Sequence, residues 1–248
     1  MTFRLSILFA LFLSANAMAN QPTINLQTEN FPPYNYSVEG KNFAKGDGVA
    51  GISVEIVKEA FKRAGVPYTI TLRFPWKRIY GMAENKNNYG IFSMVRSEER
   101  ENSFQWVGPL APDEWVFFAK ANSDIIVNSL DDAKQFQVGG YKGDALTDYL
   151  IEEGVSVRAA AQDKSNVKKL RDGRIDLWAS NNFSARALAK QEGVSFSEFK
   201  PVFTIDKVDL FLGLNKQVAP AVAAKLQKAL DEMSADGTID QTINLYIQ

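Results

Sequence analysis

From residue 23 onward the chain alternates short stretches of strand character with longer stretches of helical character, and this alternation limits its fold more than any other feature. Residues 23–28 (TINLQT) alternate apolar and polar side chains, the period of a strand, and run into the turn-rich Phe31-Pro32-Pro33-Tyr34. Between Gly51 and Gly65, Val54, Val57, Phe61 and Ala64 recur at helical spacing, Ile56 and Ala60 widen the stripe, and Gly65 supplies the stop. Residues 68–73 alternate again, Pro75 opens a second helix, and 89–94 read as another strand. Further strands are expected at 115–119, 136–139, 174–179 and 208–214, with helices at 144–153, 165–172, 184–192 and 220–234. Gly139-Gly140 reads as a turn, because no phosphate-loop pattern accompanies it. Such an α/β order predicts mainly parallel sheets covered by helices on both faces. Ligands of these sheets bind beyond the strand C-terminal ends, which directs attention to residues 28–34, 74–78, 93–100, 140–146 and 180–184.

Composition narrows the chemistry. The 248 residues include no histidine and no cysteine, which removes imidazole acid-base catalysis, Ser-His-Asp and Cys-His nucleophiles, and zinc or haem sites of the usual ligands. Only metals that take oxygen ligands remain open. With 28 basic and 29 acidic residues and no basic run, no nucleic-acid footprint is present.

The N-terminus carries a targeting pattern: a short basic start ending at Arg4, the largely apolar LSILFALFLS, and Ala17-Met18-Ala19 as an A-x-A cleavage site. Residues 1–19 are expected to form a secretory signal peptide cleaved after Ala19. That leaves 229 residues with a net charge of -2, since Arg4 is the one charge removed. No later stretch approaches the ~18 uninterrupted apolar residues of a membrane span. A soluble, exported protein without a lipid anchor is expected.

Several motifs, in order, resemble those of the family 3 solute-binding proteins, periplasmic receptors for amino acids and related compounds that serve ABC importers. They are Thr28-Glu29-Asn30-Phe31-Pro32-Pro33-Tyr34, Gly51-Ile52-Ser53-Val54-Glu55-Ile56, and Ser97-Glu98-Glu99-Arg100 followed by Phe104-Gln105-Trp106-Val107-Gly108-Pro109. Gly173-Arg174-Ile175-Asp176, Leu212-Gly213-Leu214 and the closing Asp236-Gly237-Thr238-Ile239 complete the set, so that nearly all of residues 22–248 is covered. Phe74-Pro75-Trp76-Lys77-Arg78 further resembles a PWxR-containing subgroup. The resemblance implies a two-lobed type II periplasmic binding protein fold, each lobe a mostly parallel sheet flanked by helices. Lobe 1 would hold residues 20–112 and 209–248 and lobe 2 residues 113–208, joined by hinge strands at 114–119 and 207–212.

It also implies site residues. Arg100 occupies the place of the arginine that holds the ligand's α-carboxylate, for which a planar guanidinium fork is suited; the alternative is a surface arginine paired with Glu98 or Glu99. Ser93 matches a polar strand-end position, whereas Val95 departs from the usual Thr or Ser and Arg96 lies beside it. Gly143-Asp144-Ala145 matches the start of a ligand-gripping helix, with Asp144 read first as its N-cap and otherwise as a contact for a cationic ligand group. Asn181 falls where the family's Asp meets the α-amino group and brings no full charge. Trp76, Phe31, Tyr34 and Tyr36 supply aromatic faces near the cleft, Trp76 at its rim. Trp106, Trp115 and Trp178 read as core or hinge packing.

The function so implied is a periplasmic, monomeric receptor without catalysis or cofactor. It would enclose a small carboxylate-bearing ligand between its lobes and deliver it to the membrane permease of an ABC importer. Two alternatives stand beside it: a cyclohexadienyl or arogenate dehydratase-like enzyme on the same scaffold, with Glu29 or Asp144 as the acid, and a ligand sensor for a separate membrane kinase.

Overall fold

A computed structural model of the protein describes residues 22–247; the expected signal peptide, residues 1–19, lies outside them. The strands are β1 (Ile24–Thr28), β2 (Tyr36–Ser37), β3 (Phe43–Lys45), β4 (Val49–Ala50), β5 (Tyr68–Arg73), β6 (Tyr89–Val95) and β7 (Phe104–Lys120), then β8 (Val138–Tyr141), β9 (Val157–Ala160), β10 (Leu177–Asn181) and β11 (Phe199–Asn215). The helices are α1 (Ile52–Ala64), α2 (Trp76–Asn85), α3 (Glu98–Glu101), α4 (Leu130–Ala133), α5 (Ala145–Glu152), α6 (Lys164–Arg171), α7 (Asn182–Gln191), α8 (Pro220–Ala235) and α9 (Thr238–Ile247).

Nine strands form one sheet in the order β3-β5-β1-β6-β11-β7-β10-β8-β9. Within one lobe β1 runs parallel to β5 and β6; within the other β8 runs parallel to β9 and β10. Each lobe carries helices on both faces. In the first, Ile56, Val57 and Phe61 of α1 pack with Leu226 and Met233 of α8 on one face, while Ile79 and Ala83 of α2 close the other. In the second, Leu146 and Leu150 of α5 lie on one face, and Val167, Leu170 and Leu188 of α6 and α7 on the other. Each such buried aliphatic or aromatic side chain contributes about 1.5–3 kcal/mol.

The two lobes are joined by β7 and β11, which pair antiparallel from Phe104↔Asn215 to Lys120↔Phe199. The hinge strands expected at 114–119 and 207–212 are parts of two 17-residue strands, which join the mostly parallel sheet of each lobe into one continuous sheet. Their ladder breaks opposite Gly108, where the register jumps from Leu210↔Ala111 to Leu212↔Val107. A Cβ on Gly108 would lie 2.6 Å from the Phe211 ring, so only glycine fits there. Its freed backbone groups are taken up by Gln227 of α8, whose amide accepts from the Gly108 N–H and donates to its carbonyl, both at 2.9 Å.

The first helix also fixes the loop beside the cleft. The N–H groups of Ile52 and Ser53, which have no partner inside α1, donate to the carbonyls of Pro33 and Tyr34 at 3.0 and 2.9 Å. That close approach requires Gly51, whose Cβ would sit 2.4 Å from the Tyr34 carbonyl oxygen.

Gly139 and Gly140 do not form the expected turn but lie inside β8. Side chains there would collide at 2.5 Å with Ile175 and with the Thr147 hydroxyl, so these glycines serve close packing of α5 and of the loop before β10 against β8.

Candidate functional site

A cavity of about 500 Å³ opens between the lobes, at the C-terminal ends of β1, β6, β8 and β10. All five segments singled out from the strand-helix order contribute to its wall, through Phe31, Trp76, Ser93, Arg100, Asp144 and Asn181 among others. Residues 35–42 and 162–164 add walls that no strand-end rule pointed to.

Arg100 sits on α3 and is only 8% exposed. Its guanidinium carbon lies 5.7 Å from the centre of the Tyr80 ring, and among the described residues its side chain makes no hydrogen bond and no ion pair. The alternative pairing with Glu98 or Glu99 is therefore not what forms. The acid of this short helix that finds a partner is Glu101, which takes the exposed Arg96 side chain at 2.7 and 2.5 Å; Arg96 is not part of the cavity wall. The charges facing Arg100 are those of Asp144, at the N-cap of α5, and Asp148 within it, across the cleft.

Ser93 lies in the middle of β6 with φ 61°, left-handed backbone that a non-glycine residue seldom adopts. Pairing passes from Phe92↔Leu212 to Met94↔Phe211, so Ser93 is the extra residue of a bulge, the device by which strands re-aim a side chain. It is 8% exposed, lines the cavity, and its hydroxyl has no hydrogen-bond partner. Val95, two residues on, provides an apolar wall.

Phe31 lines the cavity; Tyr34 does not. Tyr34 is a core residue, stacked on Phe31 at 5.0 Å between ring centres, its hydroxyl donating to the Pro112 carbonyl at 2.8 Å. The reason is a tight turn, in which the Tyr34 and Asn35 N–H groups both donate to the Phe31 carbonyl, so that Tyr34 turns inward and Asn35 joins the cavity wall. Asn35 spends its amide N–H on the Glu29 backbone carbonyl and leaves its Oδ1 buried without a donor.

Trp76, the first residue of α2, stands at the cleft wall with its indole directed toward Gly143 of the opposite lobe, where an added Cβ would be 3.9 Å away. Asp144 occupies the N-cap position of α5, yet its side chain makes no capping hydrogen bond; it is partly exposed and lines the cavity. Burial, with Asp163 and Asp148 nearby, raises its carboxyl to about 7 against the pull of Arg100. Asn181 also begins a helix, α7, without capping it. Its amide donates to the buried Asp113 carboxylate, which burial raises to about 7.

Glu29, at the cavity wall, is not among the binding residues that the resemblance implies. It is 7% exposed, and both its carboxylate oxygens lie 2.9 Å from the Tyr141 hydroxyl of the opposite lobe. Burial drives its carboxyl up to about 8, with Asp144 adding to the effect and the Tyr141 hydroxyl opposing it. Asp163, another member of the wall, accepts from the Trp178 indole, the Ser180 hydroxyl and the Asn166 amide at 2.8–2.9 Å. Trp115, expected as hinge packing, is buried and also borders the cavity. Glu29 follows β1 directly and Tyr141 ends β8, both inside the flagged segments; their facing one another depends on two lobes meeting, which no local pattern encodes.

Comparison with known proteins places this geometry. The model of the bacterial extracellular solute-binding proteins, family 3, matches residues 24–248. The L-cystine-binding protein TcyJ of Escherichia coli (strain K12) is 24% identical over 214 residues, spanning 84% of this chain and 76% of that protein. Among solved structures, a histidine kinase sensor domain with similarity to periplasmic binding proteins superposes with a TM-score of 0.79 at 16% identity, covering 91% of this chain and 96% of that one. An ancestral arginine-binding protein bound to glutamine gives 0.74 at 23% identity, covering 91% and 97%. No helix among the described residues is long and apolar enough to cross a membrane. The two-lobed α/β architecture and a family match over almost the whole chain lead to one conclusion: this chain belongs to the bacterial extracellular solute-binding proteins of family 3.

Proposed function

We propose that this protein is a periplasmic receptor that closes its two lobes, divided at 112/113 and 208/209, around a small amino-acid-like ligand bearing a carboxylate, and delivers it to an ABC importer. The observation that carries the reading is Arg100, buried at the inter-lobe cavity with its guanidinium uncommitted. A buried, unpaired cation is costly unless something supplies its hydrogen bonds, and a ligand carboxylate would supply two in parallel. Such bonds contribute about 1.5–3 kcal/mol each. With the Ser93 hydroxyl, the Asn181 side chain and stacking on Trp76, the ~8 kcal/mol of a micromolar receptor is within reach after ordering costs. A relative named for binding L-cystine and a structural neighbour holding glutamine support an amino-acid-like ligand.

The test is thermal stabilisation by a library of amino acids and small carboxylates, because a ligand selective for the native state raises stability by mass action. Arg100→Ala is expected to abolish the response to carboxylate ligands while leaving the ligand-free melting temperature nearly unchanged. A retained response would place the anchor elsewhere.

One observation favours a second reading. Glu29, raised to about 8 inside the cavity, holds a proton at neutral pH, as the acid of a dehydratase must. Incubation with prephenate or arogenate decides between the two: a receptor releases neither phenylpyruvate nor phenylalanine, and turnover of either compound would establish the enzyme.

A further inference from the structure

The carboxyl groups around the cleft outnumber its cations. Glu29, Asp144 and Asp163 line the cavity together with Glu192, whose charge is already matched by Lys168 at 2.5 Å. Against the first three stand the buried Arg100 and the exposed Lys164 at the margin. Once the pH passes the values at which these carboxyls ionise, about 7 for Asp144 and about 8 for Glu29, a zwitterionic ligand with one carboxylate and one ammonium adds no net charge and leaves that imbalance in a low-dielectric space where unpaired charge is expensive.

The neutral polar groups point the same way. Asn35 is 1% exposed and lines the cavity with an Oδ1 that lacks a donor; because its amide nitrogen is committed to the Glu29 carbonyl, what is missing there is an N–H or O–H. The Ser93 hydroxyl, also lining the cavity, is likewise unpartnered. Asn181 has committed its amide to Asp113, leaving the acceptor as its free half. Acceptors that lack a donor thus stand at the wall beside a surplus of carboxyl groups over cations. Phe31, Tyr36 and Trp76 add aromatic faces suited to methylene chains and cations.

Building on the receptor reading above, we propose that the cleft selects a solute of net positive charge rich in N–H donors, a diamine, polyamine or basic amino acid, whose cationic end lies between Glu29 of one lobe and Asp144 of the other. The Tyr141 hydroxyl, donating to Glu29, orients this carboxylate toward the incoming cation and completes the contact only when the lobes are together.

The experiment is a thermal-shift and calorimetric panel on the purified protein at pH 8.5. One arm contains lysine, arginine, putrescine and spermidine; a second contains glutamine and alanine; a third contains glutamate and succinate. The first arm is expected to give the largest stabilisation, and Glu29→Gln and Asp144→Asn are each expected to weaken its best member about tenfold or more. Asp144→Asn, on the other lobe, serves if Glu29→Gln fails to fold. Arg100→Ala separates the two ligand sources: amino acids should lose binding and diamines keep it, and loss of a diamine would overturn the placement of the cation. A neutral or anionic compound as the best ligand, or cation affinity within twofold of the parent in both carboxamide variants, would overturn this inference while leaving the receptor intact. No response in any arm would remove both.

Discussion

A guanidinium taken out of water loses several kcal/mol of hydration unless hydrogen bonds replace it, and Arg100 bears that cost at the wall of an acid-lined cleft instead of in a protein ion pair. Its position after the strand-end loop of β6 was legible from the Ser-Glu-Glu-Arg motif; its lack of a partner was not, since three acids lie within two residues of it in sequence. Tyr34 and Asn35 show the opposite case. Aromatic character suggested the wrong one of the pair for the cleft, because a turn's side-chain directions depend on its hydrogen bonds and not on residue type. Gly139 and Gly140 misled for a related reason: glycine marks turns and also marks close packing in a strand. Gly140 gives a sharp expectation at this scale. Its Cβ would fall 2.5 Å from the Thr147 hydroxyl, which itself accepts from the Tyr141 N–H at 3.0 Å. Gly140→Ala should therefore destabilise the protein by about 1–3 kcal/mol, the usual cost of overpacking. A denaturant midpoint equal to that of the parent would show that α5 moves aside freely.

The elements that position the site are unevenly legible in the sequence. Helix α1 and strand β5 were plain because their apolar periods are long and bounded by glycine or proline. Strand β9 (VRAA) has no legible signal, since four residues with one β-branched side chain carry almost no period. β8 and β10 start later than expected, at Val138 and Leu177, because the period-2 pattern does not say where pairing begins. The bulge at Ser93 had no signal at all: serine is not a residue that announces left-handed backbone, and only the register jump against β11 reveals it. The break in β7 opposite that same strand depends on Gln227, which replaces two ladder bonds from a helix 119 residues away. Two neutral hydrogen bonds contribute about 0.5–1.5 kcal/mol each, and leaving the Gly108 groups unsatisfied adds to the loss. Gln227→Ala should cost about 1–3 kcal/mol in urea unfolding, without changing ligand affinity relative to the parent. A large affinity change would mean that this bulge participates in hinge motion.

At the scale of the molecule, what the sequence could not convey is how the lobes meet. Contacts across the cleft join Tyr141 to Glu29 and the Ser184 hydroxyl to the Pro32 carbonyl, the latter at 2.7 Å, and so tie one lobe to the other. Closure buries Glu29, and burial raises its carboxyl from 4.5 to about 8; Asp144, which faces Glu29 and is itself opposed by Arg100, is raised from 3.8 to about 7. Opening returns both groups to water, where carboxyls titrate near 4. Because the closed-state values lie above the open-state ones, the protonated carboxyls favour closure. That contribution is complete below about pH 4, and it is lost as the pH climbs through 7 and 8. The ligand-free protein should therefore open between pH 5 and pH 9, seen as a radius of gyration that grows with pH in small-angle scattering. Glu29→Gln cannot ionise and should flatten most of this trend; Tyr141→Phe, which removes the donor, should shift the opening to lower pH. A cationic ligand acts in reverse, since it needs the carboxylates charged, so its affinity should rise over the same interval in which the empty protein opens. A radius that stays constant from pH 5 to pH 9, or a Glu29→Gln variant that follows the parent curve, would separate closure from these carboxyls. In that case the interdomain contacts at Ser184 and the stiffness of β7 and β11 would have to hold the lobes on their own.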